Sequence, residues 1–334
     1  MKILLLGKNG QVGWELQRTL APLGEVLALD RHGKTLADMP WTVPGAAGKE
    51  VHGDLTKPEQ IVDTILRLQP DVVVNAAAYT AVDKAESEPE LARLVNSQAP
   101  AAMASACDQV DALLVHYSTD YLFDGTSANP YSEDDKPSPT SVYGQTKLEG
   151  EEAVRAFARK HLILRTAWVF GSHGGNFLKT VLRLSQERSS LKVVNDQIGT
   201  PTSANYIAET TAAVIAQLVA ENRYESLASP SLQEPDYGTY HLSCAGRTSW
   251  FNYACYVVQT ARLLGMGGKL RPEAIEAIPS AAYPTAAPRP AMSVLDTAKL
   301  QKTFGIWSHM WELEVPKVLL QLRAQQEAEK AVLQ

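Results

Sequence analysis

Cysteine is scarce: Cys107, Cys244 and Cys255 are the only three in 334 residues, and no two form a CxxC pair. An odd, scattered set supplies neither a disulfide framework nor a zinc site, so the thiols are expected to be reduced and structural. Long apolar runs are missing as well. The N-terminal run at residues 3–6 breaks at Gly7, too short for a signal peptide, and no stretch approaches the ~20 apolar residues of a membrane span. Positive charge is not in excess either: 31 Lys and Arg face 37 Asp and Glu, a net charge of −6, which argues against a general nucleic-acid surface. These deficits predict a cytoplasmic protein without nucleic-acid or membrane partners. Its length allows one or two domains with a sizeable core.

What the sequence does have is alternation. Short apolar runs at 3–6, 26–30, 71–75, 113–117 and 161–166 alternate with helical patterns at 12–20, 59–68, 91–107 and around Tyr143. Near-continuous apolar strands separated by helices predict an α/β, doubly wound parallel sheet of the Rossmann kind, covered on both faces. Beyond Phe170 the regularity weakens, though 206–220 reads as a helix, 240–243 as a strand and 312–322 as an amphipathic helix. The expected division assigns 1–170 and 203–243 to a dinucleotide-binding domain and 171–202 and 244–334 to a smaller substrate lobe. Residues 229–236 read as a polar insertion.

Gly7, Gly10 and Gly13 recur at i, i+3 and i+6 around Gln11 and Val12, after the first strand and opening the first helix. Glycines there permit a tight turn and close approach of a pyrophosphate to the helix N-terminus. Asp30 ends the second strand, where a carboxylate can accept from an adenosine ribose and so favours NADH. Arg31 follows directly and could pair with a 2′-phosphate, which leaves NADPH open. Asp54 and Leu55 could flank the adenine, and the small residues Ala76, Ala77 and Ala78 suit a strand end passing close to a cofactor.

Tyr143 and Lys147 stand at i and i+4 on one helix face, with Thr119 at a strand end 24 residues before the tyrosine. A phenol can protonate an alkoxide, an ammonium nearby is expected to draw its pKa toward neutrality, and a threonine hydroxyl can orient the oxygen. This trio predicts carbonyl reduction. Asn176, Gln197 and Arg289 are polar candidates in the C-terminal lobe, arginine because its paired donors suit phosphate.

Segments 5–16, 75–86, 116–121, 142–147, 195–197 and 289–290 together resemble the extended short-chain dehydrogenase/reductase family, in particular its members acting on dTDP-linked deoxysugars. The resemblance implies that Gly10, Gln11, Val12, Asp30, Asp54, Leu55, Ala77, Ala78, Tyr79 and Tyr117 line NADPH or NADH. It implies Tyr143 as proton donor with Lys147 as partner, a dTDP-sugar meeting Thr119, Asp120 and Trp168, and Val82 at its flank. It also implies a magnesium requirement, for which Glu15 is the candidate, although no carboxylate cluster supports a tight site. A homodimer is the assembly to test. Tyr79 stands where the family often has histidine. Tyr121 after Asp120 removes the Asp-Glu pair a dehydratase needs. An epimerase, or a non-catalytic subunit resembling the regulatory subunit of methionine adenosyltransferase, stays open as an alternative.

Overall fold

Six parallel strands organise the core of the computed structural model, which describes residues 1–35, 50–225 and 236–332. They are β1 (Lys2–Leu6), β2 (Glu25–Leu29), β3 (Val72–Asn75), β4 (Leu113–Thr119), β5 (His161–Thr166) and β6 (Gly238–His241). Their order across the sheet is β6-β5-β4-β3-β1-β2. From β1 the chain moves outward to β2, then returns to β3 on the other side of β1. Strand order therefore reverses beside β1, and the crevice at the carboxyl ends there is the usual ligand site of such sheets.

Alternate residues of a strand point to opposite faces, and here both faces are apolar. Ile3 and Leu5 of β1 join one core cluster, Leu4 and Leu6 the other. Helices α1 (Gln11–Leu20) and α6 (Ala204–Glu225) cover the first face. Helices α2 (Pro58–Leu68), α3 (Ala99–Gln109) and α4 (Val142–Phe157) cover the second. Each fully buried Leu, Ile or Val contributes roughly 1.5–3 kcal/mol. A double-faced core also explains why the strands read as unbroken apolar runs.

The C-terminal half interleaves with this sheet. α5 (Phe177–Glu187) packs on α7 (Trp250–Leu263), strand Leu191–Val194 pairs in parallel with Ile275–Ile278, and Ile198–Gly199 pairs antiparallel with Thr248–Ser249. α8 (Trp311–Val332) runs ten residues beyond the expected 322, because an exposed polar continuation leaves no apolar periodicity to read. The last sheet strand lies at 238–241 rather than 240–243. A small hairpin, Lys34–Thr35 with Glu50–Val51, has no counterpart in the expectation. Apart from Asp236, the polar stretch 229–236 lies outside the described residues. Among the described residues no helix is long and apolar enough to cross a membrane.

Candidate active site

Steric demand explains two of the three glycines of the first turn. Gly7 has φ +84°, and a methyl there would sit 2.7 Å from the Ala77 nitrogen. A methyl at Gly13 would collide with the Gly7 carbonyl, so α1 can press on the turn only without a side chain. Gly10 is the N-cap of α1 and caps it with no side chain. First-turn amides left without a capping side chain favour an anion.

Beside this turn, Asp30 accepts from Asn9 Nδ2 (3.0 Å) and the His32 amide (2.9 Å) and pairs with Lys8 Nζ (3.2 Å). Partial burial opposes ionisation, but His32, Lys8 and Asn9 outweigh it and hold the carboxyl below its ordinary range. Arg31 is exposed. Asp54 closes its own turn, accepting from the Thr56 amide and hydroxyl (3.0 and 2.8 Å), and Leu55 is buried in the core. Ala77 and Ala78 leave β3 directly behind Gly7, and Asn96 bonds both the amide and the carbonyl of Tyr79 (2.9 and 3.1 Å). The Tyr79 hydroxyl donates to Glu88 (2.6 Å), which with burial pushes it up to about 12.

Over the turn lies a segment that the sequence assigned to the distant lobe. His173 Nε2 is 3.0 Å from the Asn9 carbonyl, and its ring stacks on Trp14 at 4.3 Å. Asn176 donates to Gln11 Oε1 and to the Gly171 carbonyl, both at 2.8 Å, while its own Oδ1 caps α5. Asn176 thus braces the glycine turn. Gln197 donates instead to Ser280 (2.9 Å), and Arg289 pairs with Asp83 (2.7 Å) beneath the Tyr121 ring. Asn176, Gln197 and Arg289 do not converge on one group: each donates to a different neighbour.

The candidate catalytic groups come together at the end of β4. Ser141 caps α4, accepting from the Gly144 amide (3.2 Å), and sets Tyr143 in the first turn. A methyl at Gly144 would collide with the Tyr121 carbonyl just past β4, and one at Gly150 with the Asn96 carbonyl of the neighbouring helical turn, so these two glycines let α4 seat against both. Tyr143, only 9% exposed, then lies beside Thr119 and packs edge-on against Tyr121 (5.6 Å), with Tyr79 and Val82 around it. Thr119 also donates to Asp120 Oδ1 (3.1 Å). Tyr117, by contrast, directs its hydroxyl to Thr211 (2.7 Å) on α6.

Lys147 is 2% exposed and donates to the Tyr117 carbonyl (2.5 Å), with His116 Nε2 at 3.3 Å. Burial brings it down to about 8, against the opposing charge of Glu151. Burial also pushes Tyr143 up to about 12, although the Thr119 bond opposes it. The expected lowering of the tyrosine is thus not present in this structure: the lysine nitrogen lies against the Tyr117 carbonyl and His116 and makes no hydrogen bond to the phenol. His116, Asn96, Gly144 and His173 were not singled out from the sequence; only glycines near a tyrosine and before a loop could have hinted at the last two.

Burial raises Asp120 from 3.8 to about 6, with Ser293 and Thr119 opposing. Between those values the folded chain holds a proton the unfolded chain has lost, so stability falls as pH rises through the window. Asp120→Asn should therefore gain thermal midpoint relative to the parent between about pH 5 and about pH 8, read by parallel melts; an unchanged difference would refute the shift.

Trp168 adopts φ +46°, stacks on Trp250 at 3.4 Å and abuts Gly199. Its ring is therefore held from two sides, at the junction between sheet and lobe. Glu15 is buried but faces Arg18 (3.9 Å) and Glu209, and burial raises it. One carboxylate turned to a guanidinium does not fit a magnesium ion, and no group of three potential metal ligands occurs among the described residues.

A doubly wound sheet with a glycine turn at its switch point, a buried Tyr-x-x-x-Lys helix and a threonine at the strand end defines a short-chain dehydrogenase/reductase. Residues 1–324 match the family model "RmlD substrate binding domain". The chain is 47% identical to dTDP-4-dehydrorhamnose reductase of Salmonella typhimurium, over 96% of this chain and 98% of that protein, and 43% identical to the Burkholderia thailandensis protein of the same name, over 94% and 97%. The crystal structure of the Clostridium acetobutylicum dTDP-4-dehydrorhamnose reductase superposes with a TM-score of 0.79 at 34% identity, over 97% of this chain and all of that one. The Bacillus anthracis reductase, solved in complex with NADP, gives 0.76 at 29%, over 96% and 99%. The chain belongs to the RmlD family.

Proposed function

We propose that this protein is an NAD(P)H-dependent reductase that converts the C4 ketone of dTDP-4-dehydro-L-rhamnose to the alcohol of dTDP-L-rhamnose. The observation that carries it is the placement of Tyr143 beside Thr119 at the carboxyl edge of the sheet, with Lys147 buried behind it and the glycine turn alongside. Near-complete coverage of the reductases by sequence supports the substrate. The division into a sheet domain and a substrate lobe accounts for the paired small strands outside the sheet.

The glycine turn, Asp30, and Ala77 to Tyr79 would hold the dinucleotide, and their cradle fits it: the space beside Gly7 and Gly13 leaves no room for side chains. When bound, the dinucleotide supplies the hydride for the ketone carbon. Thr119 orients the ketone oxygen by hydrogen bonding. Tyr143 gives its hydroxyl proton to that oxygen as negative charge develops; at about 12 the phenol stays protonated and ready to donate across neutral pH. Lys147, protonated, supplies positive charge that steadies the phenolate left behind. Asp120, Val82 and Trp168 would contact the sugar, and Gln197 and Arg289 remain candidates for its phosphates.

The test mixes protein, reduced coenzyme and dTDP-4-keto-6-deoxyglucose with a 3,5-epimerase and follows nicotinamide absorbance. Oxidation that requires the epimerase supports the reading; none with either coenzyme sinks it. Arg31→Ala is expected to raise the KM for NADPH roughly 10–100-fold by loss of a charge-assisted bond to the 2′-phosphate, and to leave NADH unaffected. Equal losses with both coenzymes would remove Arg31 from that role.

A further inference from the structure

Behind Lys147 a line of hydrogen bonds crosses from β3 to β4. The Ala77 amide donates to Asn75 Oδ1 (3.2 Å), Asn75 Nδ2 lies 3.1 Å from His116 Nδ1, and His116 Nε2 lies 3.3 Å from Lys147 Nζ. Asn75 and His116 are both 1% exposed. An amide nitrogen only donates, and the Asn75 oxygen is already committed to Ala77, so Nδ1 must be the accepting nitrogen of the imidazole. A neutral ring then carries its proton on Nε2, aimed at Lys147. A free amine can accept that bond; an ammonium cannot.

We infer that His116 is a positioning residue for the reduction: Asn75 fixes its Nε2–H tautomer, and that N–H lowers the proton affinity of Lys147 while holding its nitrogen against the Tyr117 carbonyl. The inference rests on the reading of Lys147 as partner of a reducing tyrosine. Burial keeps His116 far below its ordinary range and so neutral. The other titratable or charged groups near Lys147 are Tyr143 and Glu151 on its own helix, Arg165 on β5, which pairs with Glu151, and Asp120 beyond Thr119. The helices packed on α4 from the other side bring the neutral Asn96 to Thr146. Burial lowers Lys147 and Glu151 opposes it, so the imidazole N–H acts in addition to burial.

Two measurements test this. Nitrogen-15 spectra of histidine-labelled protein, with His116 assigned through its contact to the Asn75 carboxamide, should show a protonated Nε2 and an unprotonated Nδ1 that does not titrate across neutral pH. The reverse pattern or a charged ring overturns the proposal. His116→Phe should move the alkaline limb of kcat/KM, which reports the free enzyme, upward by roughly 0.5–1 pH unit. A purely structural role would lower the rate without moving the limb, and a downward move would mean that the imidazole accepts from an ammonium; either result overturns the proposal. The spectra need no turnover, so a chain that failed to reduce the ketone would sink the functional reading and leave the tautomer independently measured.

Discussion

Tyr143→Phe is expected to lower kcat by about 10²–10⁴-fold, the usual contribution of a positioned general acid. The variant keeps the ring that packs against Tyr121 and Val82 and loses only the hydroxyl that meets Thr119. Coenzyme affinity, read by fluorescence titration of NADPH, should therefore stay within a few fold while turnover collapses. A kcat within tenfold of the parent would remove Tyr143 from the proton-donor role. A loss confined to KM would point instead to a binding hydroxyl.

Arg165→Met should cost about 3–5 kcal/mol of folding stability. Arg165 and Glu151 are 3% and 0% exposed and share two hydrogen bonds at 2.9 and 2.8 Å, so removing the guanidinium strands a buried carboxylate with only the half-exposed Arg155 as partner. Burial alone would raise Glu151, but Arg165 outweighs it and holds the pKa below the ordinary 4.5. That stabilisation is present above the unfolded value and is lost as pH falls through the folded one. In Arg165→Met the carboxyl can take up a proton instead, so the deficit should be largest at neutral pH and narrow toward about pH 4, as denaturant midpoints would show. Glu151→Leu combined with Arg165→Met should recover much of the loss, because neither member of the pair is then left as an unpaired buried charge. A neutral-pH deficit under about 1 kcal/mol would contradict the pair's importance.

The sheet was legible because each strand buries both faces: residues such as Ile3 to Leu6 leave no polar position to interrupt the run. Tyr143 and Lys147 were legible because a helix converts i and i+4 into neighbours without help from the rest of the chain. The partners that orient them were not. His116 sits 31 residues from Lys147 in an apolar strand, where a positioning imidazole and a core histidine give the same pattern. Asn176, Gln197 and Arg289 were grouped by what their side chains can donate, but residue type does not say to whom, and Gln11, Ser280 and Asp83 had already taken those donors. The direction of the Lys147 side chain was equally hidden, and with it the state of the tyrosine.

The seating of α4 on two carbonyls restricts how this scaffold can diversify. With Gly144 against the Tyr121 carbonyl and Gly150 against that of Asn96, the helix has no slack to slide or roll toward a bulkier or smaller sugar. On the proposed assignment of Trp168, Gln197 and Arg289 to the sugar nucleotide, accommodation of a different ketone would come from those segments, while Tyr143 stays put. Reshaping selectivity by engineering should accordingly succeed in those segments and fail on the helix, where even one added methyl group displaces the chemistry itself.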